Sequence, residues 1–264
     1  MLLTLSTASS IPCPKMRNNP MDNIGRIAIF SDVHGNLEAL QTVLEKIAEA
    51  QVDRIICLGD MVGYGADPNM CIERVREVSD LVLAGNHDWA AVGLEDPGFF
   101  NPVALAAIQW TVQMLSDENA SLLRSYQPFQ NESAYCYAHA SPIEPELWHY
   151  LFDPEDGWSM LAQTNFEMCF VGHSHRAFVC SASQKTVLTR EGEVQLSDND
   201  RYLVNVGSVG QPRDGDARAA FVVWDRENGN LQLRRVSYDV ATAQAKILSA
   251  GLPPFLAERI ELGM

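Results

Sequence analysis

The chain has 264 residues, 47% of them hydrophobic, enough to bury a substantial α/β core as one large domain or two small ones. A formal charge of -15 and a pI near 4.7 argue against a surface that holds long nucleic acid or an anionic membrane, since both repel an acidic protein. An anionic substrate therefore needs a local positive centre.

Residues 1–24, "MLLTLSTASSIPCPKMRNNPMDNI", start apolar without a preceding basic region and turn polar after Leu5. They read as a disordered leader or an over-extended start, with Met16 or Met21 as the true beginning, in preference to a signal peptide. Residues 25–264 are expected to form a single domain. No apolar run reaches the ~20 residues of a spanning helix, so no membrane partner is expected. The six cysteines form no C-x-x-C pair, and several sit inside apolar runs, which suits a reducing, cytoplasmic setting.

Four apolar runs share one design: "RIAIFSD" at 26–32, "RIICLGD" at 54–60, "LVLAGNHD" at 81–88 and "MCFVGHSH" at 168–175. Each reads as a buried strand that breaks into polar residues. Between the first two, Leu37, Leu40, Val43, Leu44 and Ile47 recur at helical spacing; between the next two, "PNMCIERVREV" opens on Pro68, where a helix tolerates proline. Strand, helix, strand, helix, strand is the signature of parallel strands joined by right-handed crossovers. A helix pair is expected over 101–127, a further strand at "AYCYAHAS", and a mainly antiparallel sheet from Ala177 to Asp239. The last helix is expected at "VATAQAKILSA", with "GLPPFLAERI" as a short capping segment after Gly251. The assembly that follows is an α/β (α+β) four-layer sandwich, two mixed β-sheets flanked by α-helices.

Groups that do chemistry collect where parallel strands end. The run ends carry Asp32 and His34, then Asp60, then Asn86, His87 and Asp88, then His173 and His175, and His139 closes the fifth strand. Asp32 alone reads equally as a helix cap and His34 as a satisfied polar residue. Five of the six histidines stand at these ends, and even four of them, His34, His139, His173 and His175, with two aspartates and an asparagine at one rim are hard to explain as caps. Without a cation, so many carboxylates and imidazoles would compete for too few partners. Nitrogen and oxygen donors favour Mn, Fe or Zn over Ca, and seven ligands suit two ions that share a carboxylate better than one tetrahedral ion. His149, in the aromatic stretch "ELWHYLF", reads as structural; that stretch either walls a pocket or belongs to the core.

The ordered set D-x-H, GD, GNH, a lone H and GHxH resembles the calcineurin-like metallophosphoesterase superfamily. "GDMVGYGADPN", "NVGSVGQPRDGD" and "GLPPFLAERIELG" are similar to a small bacterial and archaeal phosphoesterase branch. The resemblance implies a dimetal phosphoric ester hydrolase, a phosphodiesterase or phosphomonoesterase acting on a small phosphate ester. Two divalent or trivalent transition-metal ions would be held by Asp32, His34 and His175 on one side and by Asn86, His139 and His173 on the other, with Asp60 bridging. A hydroxide between the ions would attack phosphorus, and His87 would protonate the leaving oxygen.

Around those roles, Asp88 either orients His87 or caps the helix after it. Asn36 either contacts substrate or caps the helix at Leu37. Arg213 either grips phosphate or pairs with Asp214 or Asp216 on the surface. The chain departs from the resemblance in carrying "GDMVGYG" and "GNHD" where protein serine/threonine phosphatases and diadenosine tetraphosphate hydrolases carry GDxVDRG and GNHE, which weighs against both alternatives. It also reads "HAS" in place of HGS at His139. A partner-binding module on the same fold, without catalysis, is the alternative of another class. Oligomeric state stays open.

Overall fold

The computed structural model describes residues 24–264, so the expected leader lies outside the described residues apart from Ile24. The first half alternates strand and helix: β1 (Arg26–Phe30), α1 (Leu37–Glu49), β2 (Arg54–Cys57), α2 (Pro68–Val78), β3 (Leu81–Val82) and α3 (Asn86–Ala91). A helix pair follows, α4 (Pro102–Met114) and α5 (Asp117–Ser125), then β4 (Phe129–Glu132), β5 (Tyr135–Ala138), α6 (Pro154–Gln163) and β6 (Met168–Val171). The remainder is β7 (Phe178–Ser181), β8 (Gly192–Gln195), β9 (Tyr202–Asn205), β10 (Ala219–Asp225), β11 (Asn230–Val236), α7 (Val240–Ser249) and α8 (Pro254–Leu262).

The strands form two mixed sheets, in the order β3-β2-β1-β10-β11-β8 and β4-β5-β6-β9-β7. Within the first, β1, β2 and β3 run parallel; within the second, β5, β6 and β9 do. Alternation along β1 sorts the layers. Ile27 and Ile29 face the second sheet and pack with Tyr137, Phe170 and Val204, whereas Ala28 and Phe30 face the helix side with Leu40, Val43 and Ile47. On the far face of the second sheet, Cys136, Cys169 and Phe178 pack against Met160 and Leu161 of α6. Helix, sheet, sheet, helix is the four-layer sandwich that the sequence predicts.

Two expectations need correction. The region from Ala177 to Asp239 does not make one antiparallel sheet: β8, β10 and β11 extend the first sheet, while β7 and β9 complete the second, with β9 parallel to β6. Period-2 alternation identifies strands but not which sheet receives them. The closing segment is a full nine-residue helix, α8, begun by Pro254 in its first turn and ended at Gly263 in the left-handed region.

Candidate metal centre

The parallel strands of both sheets end at one edge, and their loops interlock there. Asp32 N–H donates to the Gly59 carbonyl at 3.0 Å, His34 N–H to the Asp60 carbonyl at 2.9 Å, and Gly172 N–H to the His139 carbonyl at 2.9 Å. Asp32, His34, Asp60, His173 and His175 all have left-handed backbones, with φ of 57°, 50°, 52°, 64° and 59°. Such a conformation costs roughly 1 to 3 kcal/mol at a non-glycine residue and is most accessible to Asp, Asn and His. Each strand therefore kinks at its end and turns a polar side chain inward.

These side chains converge. Asp32, His34, Asp60 and His175 form one buried group of donors, and Asp60, His139 and His173 form a second, so Asp60 belongs to both. His34 Nε2 lies 3.1 Å from His175 Nε2, and His139 Nε2 lies 3.2 Å from His173 Nδ1. The Nδ1 atoms of His34, His139 and His175 face the carbonyl oxygens of Val62, Leu58 and Gln211 at 2.9, 3.0 and 2.6 Å. A carbonyl only accepts, so Nδ1 carries a proton in each ring and each Nε2 faces the centre, where the neutral ring presents a lone pair. Lone pairs opposed at such distances repel unless a cation or proton lies between them.

Two further observations fit a cation pair. Asn86 Oδ1 is buried without a hydrogen-bond partner among the described residues, an unspent oxygen donor beside His173 on a shared cavity wall. Burial by itself would raise Asp60, yet the imidazoles of His139, His87 and His34 hold it well below the ordinary carboxylate range. Burial opposes the charged form of His139, and Asp60 overrides it, pushing His139 up to about 9. Asp60 is thus set to remain an anion, as a carboxylate shared by two positive charges must. The buried Asp/His cluster is able to bind metal ions.

A sequence model of the calcineurin-like phosphoesterase superfamily domain matches residues 26–229, which span both clusters. The chain belongs to that superfamily. The chain is 40% identical over 243 residues to an uncharacterized protein of Methanocaldococcus jannaschii, covering 90% of this chain and 98% of the relative. It resembles the crystal structure of a metallophosphoesterase from Sphaerobacter thermophilus with a TM-score of 0.81 and 35% identity, over 92% of this chain and all of that one (100%). A hypothetical protein of Pyrococcus horikoshii shares the fold, with a TM-score of 0.73 and 19% identity over 90% of this chain and 98% of its own.

The remaining site residues of the phosphoesterase divide. His87 follows Asn86 on α3; its backbone N–H donates to Asp60 Oδ1 at 2.8 Å, and its ring sits between Tyr64 and Phe100 with centroids 4.5 and 4.8 Å away. Arg213 stands beside the centre over the Tyr64 ring at 5.6 Å, bonded through Nη2 to the neutral Gln211 Oε1 at 2.8 Å. The surface pairing considered for it is absent among the described residues, because Asp214 pairs with Arg235 and Asp216 with Arg218.

Asp88 does not reach His87. Its Oδ1 accepts the Met61 and Val62 N–H groups at 2.9 and 3.2 Å, and its Oδ2 accepts the Gly85 N–H at 3.0 Å. Asp88 thus caps α3 and clamps the loop that carries Asp60, and burial plus the Asp60 charge push it up to about 7.

Asn36 is also corrected. Its Oδ1 caps α1 at Ala39 N, and its Nδ2 donates to the Gly210 carbonyl at 2.9 Å and to the Tyr238 hydroxyl at 3.2 Å, so its amide is spent on structure. Asn36→Ala is expected to cost about 1 to 2 kcal/mol by chemical denaturation, as a lost cap does, while KM for a phosphate ester stays unchanged. His149 lies outside the clusters, exposed and 3.5 Å from Glu144.

Tyr150, from the aromatic stretch, closes one side of the centre by stacking on His173 with centroids 4.0 Å apart. Sequence reasoning missed Glu95, Phe99 and Phe100, which line the same cavity as His87. An aromatic pair after a Pro-Gly turn, close behind "GNHD", was the one signal available. Asn205 supports the rim, donating to the Gly172 carbonyl at 3.0 Å and to Ser174 Oγ at 2.9 Å.

Proposed function

We propose that this chain hydrolyses a small phosphate ester at a two-metal centre. One observation carries the reading: Asp60 belongs to two buried donor clusters that stand beside a cavity lined by His87. Asp32, His34 and His175 would hold one ion and Asn86, His139 and His173 the other, with Asp60 between them. When bound, the two cations would supply positive charge to the phosphoryl oxygens and an acidified water as nucleophile. Arg213 offers a planar fork for the remaining phosphate oxygens, which supplies the positive centre that an anionic substrate needs on so acidic a protein. Water delivers its oxygen to phosphorus; the bond from phosphorus to the alcohol oxygen breaks, and His87 hands that oxygen a proton.

Manganese is the probe. Purified protein loaded with Mn should bind close to two ions per chain by elemental analysis and hydrolyse p-nitrophenyl phosphate or its bis ester, with activity removed by a chelator and restored by Mn. A metal-replete protein inert towards a broad panel of mono- and diesters overturns the reading in favour of a binding module. Among the described residues no helix is long and apolar enough to cross a membrane.

A further inference from the structure

The cavity beside His87 has a volume of about 450 Å³, within the range of small-molecule sites. Tyr64, Phe99, Phe100, Trp148 and Tyr150 supply aromatic walls, and among the described residues no lysine or arginine lines it. Phe99 is 89% exposed and Tyr150 45% exposed at its rim, apolar surface held open to water around a concave site. One charged group stands among these rings. Glu95 Oε2 accepts the Trp148 indole N–H at 2.9 Å, and the other carboxylate oxygen has no hydrogen-bond or ion-pair partner among the described residues.

We propose that this cavity receives the departing alcohol and that the alcohol carries an uncharged planar ring with N–H donors, the chemistry of a nucleoside with an amino-bearing base. The proposal rests on the phosphoesterase reading above. His87 links the two parts of the argument, because the ring placed to protonate the leaving oxygen lines the same cavity as the aromatic walls. A planar ring stacks on aromatic faces whatever its identity, which supplies affinity. Glu95 supplies selection. Its free oxygen accepts from an exocyclic amino group and faces a keto oxygen unfavourably.

The test compares leaving groups that share the ribose alcohol. Ribose 5-phosphate and the 5′-phosphates of adenosine, inosine, cytidine and uridine are supplied as monoesters and as methyl diesters, and release of nucleoside or ribose is measured with Mn-loaded enzyme. Adenosine is expected to exceed ribose by about tenfold or more in kcat/KM, from stacking, and adenosine over inosine and cytidine over uridine by a similar factor. Glu95→Gln supports the same shape. Its amide oxygen must serve the Trp148 N–H, which leaves an NH₂ facing the ligand, and the amino-over-keto preference should invert. Turnover of all five compounds at equal kcat/KM, or a base preference untouched by Glu95→Gln, overturns this inference and leaves the phosphoesterase standing. No turnover of these compounds or of p-nitrophenyl esters removes both.

Discussion

Asp60→Asn should lower kcat/KM by at least about 100-fold and leave fewer than two Mn ions per chain, with the far-ultraviolet spectrum unchanged. The lower bound comes from outer-shell partners of metal ligands, whose loss typically costs 10- to 100-fold; a shared carboxylate should exceed that. Asp60 Oδ2 lies 3.6 Å from His34 Nε2 and 3.3 Å from His139 Nε2, one ring in each cluster. Its Oδ1 accepts the His87 backbone N–H at 2.8 Å, a bond that an asparagine oxygen can keep. The substitution thus removes one anion and offers an NH₂ to two nitrogens that present lone pairs, while α3 stays seated. Gly85→Ala should reach the same loss by displacement, since a Cβ there would stand 2.0 Å from Asp60 Oδ1. An Asp60→Asn protein that keeps two ions and wild-type turnover is incompatible with a bridging carboxylate.

The convergence of Asp32, His34, Asp60, His139, His173 and His175 was legible because parallel strands must end at one edge and because Asp and His stood at each end. The means of convergence was not. Five non-glycine ligand residues in left-handed backbone contradict local preference, and only the interlocked loops hold them there.

For Asp88 and Asn36 the sequence leaves a chemical and a capping role open; tertiary contacts assign them to backbone N–H and carbonyl groups. The aromatic stretch was open to either reading, and the structure divides it: Trp148 and Tyr150 line the cavity, whereas His149 points to solvent. Glu95 could not be found from sequence, since its place depends on the indole of a residue 53 positions away. The sequence offers α8 only as a short capping segment after Gly251, although a proline in a first turn, as Pro254 is, begins a helix as readily as it ends a segment.

His87→Ala should separate substrates by their leaving groups. A general acid contributes about 10² to 10⁴ in rate when the departing oxygen needs a proton, so hydrolysis of an alkyl phosphate should fall by that factor. A p-nitrophenolate disperses its own charge, and its loss should be far smaller. The ring is held for this task from three sides, by Tyr64, Phe100 and His34, the last with its centroid 4.9 Å away. Gly63 makes room for it: a Cβ there would approach His87 Nδ1 to 2.4 Å, so the aspartate of the GDxVDRG pattern cannot share this geometry.

Burial pushes His87 down to about 4, below its usual value, so the free enzyme carries it neutral at pH 7. Its Nδ1 is buried with no hydrogen-bond partner among the described residues. A phosphate anion bound beside the ring would favour the imidazolium, so in the proposed reaction the acid would form with substrate bound, at a pKa above that of the free enzyme. The kcat profile for an alkyl ester should therefore decline as pH rises through that higher value, and His87→Ala should erase the decline. Equal losses on alkyl and aryl esters, with the decline retained, would assign His87 to holding α3 against Asp60 instead of to proton transfer.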